Sequence, residues 1–433
     1  MPNDGSFVIN GLLAPDRTPH PHYYEVKHVY QPLNFEKIDD THVKVTNRDW
    51  FTSLDEYDYS ARFFDVINGE SDVVSLSKPD KNGILTIPDQ ETDIPKRALT
   101  VSASLPQSCL WADQGFVVAY DQFIHVSASL ERPFNVEESA KSIKPAKAIK
   151  YLEKSGYSFD SLGTLVGWNY QSREILAEPL EPYFWKPAND NQLRNDYERS
   201  MGVWRTVASN RKLQSSEFSL YKGNRKKKGT LISQYTYALP VRATLKLTYY
   251  LDLDSKSEVR VVMDYVPDSV IVESLPKFGV RLRVPKDYGD IEWMGYGPWE
   301  SYPDRRNGAL YGCYTMTVSD YMTDYVFPQD NSNRVGVDRF SLSSTDSRMP
   351  KVTIYDGDGL GDGLNVRVWK YSEEDLEASR HGYELPERDY LNINIDKEII
   401  GVGGNDAWGA KTEPQYIPSA KEPHELSFVI RLE

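Results

Sequence analysis

Alternation of apolar and polar residues dominates most of the chain, and it predicts strands rather than helices. Between residues 33 and 130, short runs of β-branched and aromatic residues are separated by turn pairs such as Asn68-Gly69 and Asn82-Gly83. About seven short strands within about 100 residues are typical of an immunoglobulin-like sandwich. The predicted strands cover residues 42–45, 59–67, 72–76, 83–87, 98–104 and 116–127.

The longest alternating spans lie between residues 148 and 433. Two of them, 241–251 and 258–265, are joined by a short polar segment and predict a long hairpin. Further strands are predicted at 280–284, 351–355, 364–369 and 426–432. We therefore expect one large antiparallel sandwich of two sheets over 148–433. Residues 131–147 have few large apolar side chains and indicate a linker between the two β units.

The first 32 residues follow a different pattern. Residues 7–13 form a continuous apolar run, as expected of a strand buried on both faces, and prolines follow it. Tyr23, Val26 and Tyr30 then recur at helical spacing, and Pro32 ends the helix. This single βα unit has no sister units later in the chain. It indicates a remnant of an α/β barrel; an edge strand and helix docked on the sheets is the alternative.

Composition excludes several functional classes. The net charge of -14 argues against nucleic-acid binding, and the one basic run, 225–228, fits a solvated hairpin tip. No apolar stretch of about 18 residues is present, so we expect no membrane span. The start of the chain lacks a signal-peptide pattern, and we expect it to lie inside a longer protein. Cys109 and Cys313 have no zinc spacing and predict two buried thiols; a single bridge is the alternative.

Five sequence segments, in order along the chain, resemble the large β-galactosidases of glycoside hydrolase family 2. The first combines FVINGL, DRTPHP and EVKH. The segments are 7–28, PYFWKPANDN at 182–191, GYGPWESYPDR at 295–305, YVFPQ at 325–329 and GVGGNDAW at 401–408. The resemblance implies a mainly β C-terminal portion: the end of a TIM barrel (1–32), an immunoglobulin-like sandwich (33–130) and a large, galactose mutarotase-like supersandwich (148–433).

The same resemblance implies what chemistry the chain holds and lacks. Family members hydrolyse terminal β-D-galactosides with retention, using two carboxyl groups on barrel strands upstream of Phe7, with a magnesium site beside them. The chain alone is therefore expected to be inactive. Phe7, through its carbonyl, and Asn10, through its side-chain oxygen, correspond to ligands of a sodium ion that also binds galactose; oxygen donors suit this cation. A core phenylalanine and a turn asparagine are the alternative roles.

Trp408 follows a glycine-rich stretch and corresponds to the family's platform for the second sugar, although a packed core tryptophan is the alternative. Glu300, Asp304 and Arg305 lie among Gly-Pro and Tyr-Pro turns and predict a structural ion pair and turn caps. The expected partners are the missing catalytic part and other subunits of a homo-oligomeric parent, whose compartment, cytoplasmic or periplasmic, stays open. The alternative function is a stand-alone sugar-binding or mutarotase-like protein using His381 or His424, both expected in loops.

Overall fold

The computed structural model describes residues 9, 11–65, 69, 71–89, 96–126, 141–143, 145–222, 227–236, 241–357, 362–406 and 408–433. Within these ranges the chain is mainly antiparallel strand, as the alternation predicts. The helices found there are all too short or too polar to cross a membrane.

The immunoglobulin-like part consists of two small sheets that share one core. One sheet has three strands and the other has four. Alternate residues point inward, so that Val43 and Val101 are fully buried between the sheets. The strands are β1 (Leu33–Lys37), β2 (His42–Asn47), β3 (Asp58–Asp65), β4 (Ser71–Leu76), β5 (Ile84–Thr86), β6 (Lys96–Ser104) and β7 (Val117–Val126), with a 3-10 turn at Leu54–Glu56. One sheet has the order β1-β2-β5 and the other β4-β3-β6-β7. Strands β2 to β7 overlap the predicted ones, whereas β1 was not predicted.

The rest of the chain supplies a much larger set of strands and several short helices. The strands are β8 (Lys141–Ile143), β9 (Tyr157–Phe159), β10 (Leu165–Tyr170), β11 (Arg173–Glu174), β12 (Glu178–Tyr183), β13 (Lys212–Lys222), β14 (Lys227–Thr236), β15 (Ala243–Asp252), β16 (Glu258–Pro267), β17 (Lys277–Pro285), β18 (Tyr288–Gly297), β19 (Leu310–Thr317), β20 (Arg334–Val337), β21 (Arg339–Ser344), β22 (Val352–Asp356), β23 (Leu364–Trp369), β24 (Tyr390–Ile399) and β25 (His424–Leu432). The helices are α2 (Pro145–Lys154), α3 (Asp190–Leu193), α4 (Tyr197–Met201), α5 (Trp204–Val207), α6 (Val318–Tyr321) and α7 (Glu373–Ala378), with 3-10 turns at Gly382–Glu384 and Pro414–Tyr416.

These strands form two large sheets around a single core. The eight-stranded sheet runs β11-β10-β12-β17-β24-β23-β20, with β9 on β10; the ten-stranded sheet runs β19-β18-β21-β22-β25-β16-β15-β14-β13-β8. The predicted hairpin is confirmed as β15 and β16, which pair from Ala243–Pro267 to Leu251–Val259. Strand β8 comes from the stretch predicted as a linker and pairs with β13, while residues 127–140 lie outside the described ranges.

Helix α1 (Pro21–Val29) lies between the immunoglobulin-like part and the large sandwich. Tyr24 stacks on Trp299 with ring centroids 3.4 Å apart, and His28 lies 3.3 Å from the carboxylate of Asp121. The helix was predicted from its apolar spacing, and its Pro21 stands in the first turn, where the missing N–H costs nothing. The run before α1 differs from expectation: its described residues Ile9, Leu12 and Leu13 are exposed rather than buried.

That exposure has a simple cause. Leu13 makes one isolated bridge, to Pro19, and a strand without neighbours on both sides has no sheet in which to bury its faces.

Two further predictions, about the cysteines and the basic run, can be compared with the structure. Cys109 and Cys313 are both free but exposed, so the prediction of buried thiols is wrong. The basic run falls in the hairpin of β13 and β14, whose tip, 223–226, is outside the described residues.

Candidate functional site

A cleft of about 350 Å³ opens where the N-terminal segment meets the large sandwich. Each of the five motif segments contributes to its walls, although they are separated by up to about 400 residues in the chain. The residues lining it are Ile9, His20, His22, Asn189, Asp190, Asn191, Glu300, Arg305, Tyr325, Val326, Phe327, Gln329, Asp330, Val402, Gly403 and Gly404. Convergence of all five segments on one concave surface makes it the candidate functional site.

Two histidines form the N-terminal wall of the cleft. His20 Nδ1 and His22 Nε2 lie 2.7 and 3.1 Å from the carbonyl oxygen of Gly11, and both donate because a carbonyl only accepts. Burial, with the nearby charge of Arg305, lowers the pKa of His22. His22 therefore stays neutral at pH 7, with its proton on Nε2. The two rings thus hold the backbone carbonyl of Gly11 between them.

Glu300 forms the next wall and is fully engaged. It pairs with Arg305, accepts the Tyr325 hydroxyl at 2.8 Å, and accepts the backbone N–H of Ser332 at 2.5 Å. Removal of the Tyr325 hydroxyl from water raises the pKa of that tyrosine. The predicted structural ion pair between Glu300 and Arg305 is thus present, and it joins the segment 295–305 to the segment 325–329.

A buried ion network lies beneath the cleft. Asp330 is 1% exposed at its side chain, pairs with Lys186 at 3.3 Å and with Arg367, and accepts the Tyr302 hydroxyl at 2.7 Å. Arg367 also meets Asp396 at 2.9 Å. Burial lowers the pKa of Lys186, although Asp330 counteracts the effect. Strand β23 is thereby tied to the segment 182–191 through charged groups that solvent does not reach.

The network continues along the eight-stranded sheet. Lys277 on β17 lies 2.6 Å from Asp396, and burial lowers the pKa of Lys277 to about 8. Its Nζ also donates to Asn394, whose amide donates to Glu373 at 2.9 Å. Glu373 in turn pairs with Arg281 at 3.1 Å. Each buried charge therefore has an opposite charge or a hydrogen bond, which is the condition for keeping ions inside a protein.

Asp190 is the least engaged acid of the cleft. Asn189 caps α3 by accepting from the N–H of Gln192, which places Asp190 at the first helical position. Gln329 donates to its Oδ2 at 3.2 Å, whereas Oδ1 is buried and accepts no hydrogen bond from the described residues. Burial raises the pKa of Asp190. The surroundings of this carboxyl group therefore make its ionised form less favourable than it is in water.

The loop from 401 to 409 forms the opposite wall and carries Trp408. Asp304 accepts the N–H groups of Val402 and Gly403 at 2.9 and 2.8 Å, as its predicted role as a turn cap requires. Gly404 has φ +103°, and a Cβ there would lie 2.9 Å from the Asn191 amide nitrogen. Only glycine allows this close approach.

Trp408 itself projects from this loop into solvent. Its indole is 89% exposed, and its backbone N–H donates to Asp406 at 2.8 Å. It is therefore not a core tryptophan, unlike Trp168, Trp185, Trp204, Trp293 and Trp369, which are buried. Phe7 and Asn10, the predicted sodium ligands, lie outside the described residues. Within the described ranges no cluster of three or more His, Cys, Asp or Glu side chains could hold a metal ion.

Residues of the cleft that sequence reasoning missed include His20, His22, Asp190 and Gln329. All four belong to segments that carry the family resemblance, so the signal was present, but it gave no role to the individual side chains. The two histidines of the alternative function lie away from this cleft. His381 is exposed and pairs with Glu384 at 3.2 Å. His424 is buried at the start of β25 rather than in a loop.

Two family models match separate parts of the chain. The family model "Beta galactosidase small chain" matches residues 152–430, and "Beta-galactosidase, domain 4" matches 43–126. A β-galactosidase of Priestia megaterium is 28% identical over 99% of this chain and 41% of its own length. A β-galactosidase of Halalkalibacterium halodurans is 27% identical over 99% of this chain and 42% of its own length. The chain therefore spans about two-fifths of the length of these relatives.

Solved structures resemble this chain only distantly. A galactose mutarotase-like protein from Lactobacillus casei matches 68% of this chain and 100% of its own, with 13% identity and a TM-score of 0.35. The family assignment rests on the sequence models instead, because the small-chain model alone covers more than half of the chain. The chain belongs to the β-galactosidase small-chain family and is a C-terminal portion of a β-galactosidase.

Proposed function

We propose that this chain is the non-catalytic C-terminal region of a retaining β-galactosidase. In this proposal it shapes the substrate cleft, while the part of the polypeptide that carries the catalytic carboxyl groups hydrolyses terminal β-D-galactosides. The observation that carries the proposal is the state of the three acids in the cleft. A retaining glycosidase needs a protonated acid and an accessible nucleophilic carboxylate about 5–5.5 Å apart.

None of these acids offers an accessible nucleophile beside a proton donor. Glu300 is occupied by Arg305, a hydroxyl and a backbone N–H, and Asp330 is sealed from solvent by two cations. Asp190 has a raised pKa and could donate a proton, but it has no free carboxylate partner among the cleft residues described. The chain alone would therefore bind sugar without transferring it.

The groups that remain suit recognition of a sugar. Asp190 and Gln329 line the cleft with polar groups, and the exposed Trp408 indole offers an apolar face on which the CH groups of a sugar ring can stack. We propose Trp408 as the platform for the second sugar. Phe7 and Asn10 supply part of a sodium site that the preceding part completes, and magnesium belongs to that other part. The donor types, a carbonyl and an amide oxygen, fit a hard cation.

The alternative of a mutarotase-like enzyme finds less support. Such a reaction needs a histidine that is free to move a proton at the substrate. Both ring nitrogens of His424 are engaged, Nδ1 with Glu398 at 3.0 Å and Nε2 with the carbonyl of Ser419 at 2.6 Å. No observation favours this function over the first.

The experiment is complementation. The purified chain is mixed or co-expressed with the polypeptide segment that precedes this region in its own β-galactosidase, and hydrolysis of a chromogenic β-D-galactoside is followed. We expect turnover from the pair but not from either part. Lack of turnover from a pair that has been shown to be folded contradicts the proposal. Acceleration of galactose anomer interconversion by the chain alone supports the alternative.

A further inference from the structure

Large aromatic side chains lie exposed on the immunoglobulin-like part, around the C-terminal end of α1. Trp50 and Phe51, in the loop between β2 and β3, are 91% and 98% exposed. Trp111 and Phe116, between β6 and β7, are exposed as well, and so is Tyr30 at the end of α1. We call these five residues the α1 surface.

Both loops are fixed to α1, so the five side chains belong to one region. Arg48, two residues before Trp50, donates from its backbone to Pro32 at 2.8 Å and from its guanidinium to the carbonyl of Val29 at 3.2 Å. On the other side, the Lys27 ammonium lies 4.6 Å from the centre of the Phe116 ring. Phe116 meets Trp111 edge to face at 5.4 Å.

This surface is unusual for a chain whose other apolar residues are mostly buried. Aromatic side chains bury roughly 150–250 Å² each, so the five at these exposures leave on the order of 600–900 Å² of mostly apolar surface open. A stable protein interface buries roughly 800 Å² on each partner, with aromatic anchors at its centre. Helix α1 also has no buried residue of its own. Exposed aromatic side chains of this total area, grouped around the last turn of one helix, are typical of an interaction site.

We propose that the α1 surface docks the part of the β-galactosidase polypeptide that precedes this region in its relatives. This inference rests on the proposed function. More than half of each compared relative has no counterpart in this chain, and that remainder must contact the C-terminal portion somewhere. It reaches this chain on the N-terminal side of α1, where the apolar Leu12 and Leu13 are also exposed.

Helix α1 is short enough for one partner domain to contact both of its ends. A helix of 9 residues spans about 14 Å. A domain of a few hundred residues is several times wider than that. A partner seated on the N-terminal segment can therefore also cover Trp50, Phe51 and Trp111. A second copy of this chain is the competing occupant, and the test below separates the two.

The test measures association of the tagged full chain with the preceding segment of its own β-galactosidase. The variants are Trp50→Ser/Phe51→Ser and Trp111→Ser, each expected to weaken the complex at least roughly tenfold, as buried aromatic anchors do. Tyr383→Ser, which removes a similarly exposed ring (83%) from the large sandwich, is the matched control and should bind as the unchanged chain does. Equal melting temperatures show that all variants are folded.

The outcomes are distinct. Equal affinity of the aromatic variants and the unchanged chain, with hydrolysis restored by the pair, overturns the docking inference and leaves the proposed function standing. A pair of folded parts that neither associates nor hydrolyses overturns both. Dimers of the chain alone in sedimentation experiments, lost in Trp50→Ser/Phe51→Ser, assign the surface to a second copy and also overturn the inference.

Discussion

Replacing Asp330 with asparagine tests whether the buried ion network holds the floor of the cleft together. The amide keeps the size of the side chain but removes the negative charge that faces Lys186 and Arg367. Arg367 retains Asp396 as a counter-ion at 2.9 Å. Lys186 retains only two oxygen acceptors, on Pro187 at 3.1 Å and Gln192 at 2.8 Å, and no described carboxylate within salt-bridge distance.

Removal of one partner from a buried ion pair costs about 3–5 kcal/mol, because the other charge is left uncompensated. At roughly 2–4 °C per kcal/mol for a unit of this size, the melting temperature of the large sandwich should fall by roughly 6–20 °C. Burial lowers the pKa of Lys186 below its unfolded value of 10.5. The unfolded chain then binds more protons than the folded one, so the deficit should shrink as the pH rises toward 10.

Calorimetry of Asp330→Asn, Lys186→Met and the double variant at pH 7 and pH 9.5 measures these effects. We expect the double variant to be more stable than Asp330→Asn, since the uncompensated cation is gone. A decrease in the free energy of unfolding of less than about 1 kcal/mol for Asp330→Asn refutes the reasoning. An equal decrease at pH 7 and pH 9.5 refutes it as well.

Four further predictions concern other parts of the molecule. Desolvation opposes ionisation of Glu373, but the guanidinium of Arg281 outweighs this effect, and the pKa of Glu373 falls to about 2. About 3 kcal/mol of the free energy of unfolding should therefore be lost as the pH falls from 4.5 to 2. Acid titration of the Glu373→Gln variant should lack this loss. Burial lowers the pKa of His424, but the hydrogen bond that its ring donates to Glu398 outweighs this effect and raises the pKa. Chemical unfolding should therefore show stability falling as pH rises above about 6.5, and less so in His424→Gln. Trp299→Ala removes a stacked pair worth about 0.5–1.5 kcal/mol, and limited proteolysis should cut α1 faster. Trp408→Ala should leave the melting temperature unchanged, because the indole is 89% exposed, yet raise KM in the complemented enzyme roughly tenfold.

The fold could be predicted largely from the sequence because a half-buried strand records its two faces in alternation. Residues 241–251 and 258–265 gave the long hairpin, and the turn pairs located the small strands of the immunoglobulin-like part. The buried strand predicted at 7–13 is absent at its described residues, 9 and 11–13, because an apolar run is buried only where neighbouring strands exist to cover it. The prediction that Cys313 is buried was wrong because the cysteine count alone does not distinguish an outward-facing position on β19 from a buried one.

The site was harder to predict, because its residues meet only in three dimensions. The ion pair of Glu300 with Arg305 was predicted from its turns. Trp408 is exposed, and its role at a sugar stays a prediction. The convergence of segment 182–191 with segment 401–408 depends on contacts between residues more than 200 positions apart, such as Asn189 with Val402 at 3.1 Å. Periodicity and composition carry no information about such pairs.

The central claim, that the chain shapes a galactoside site without catalysing hydrolysis, is tested most directly by the rate of chromogenic β-D-galactoside hydrolysis by the purified chain alone. The account predicts a rate equal to the buffer blank, at chain concentrations far above those at which the complemented enzyme is active. Turnover above the blank that persists through purification and disappears in Asp190→Asn contradicts it.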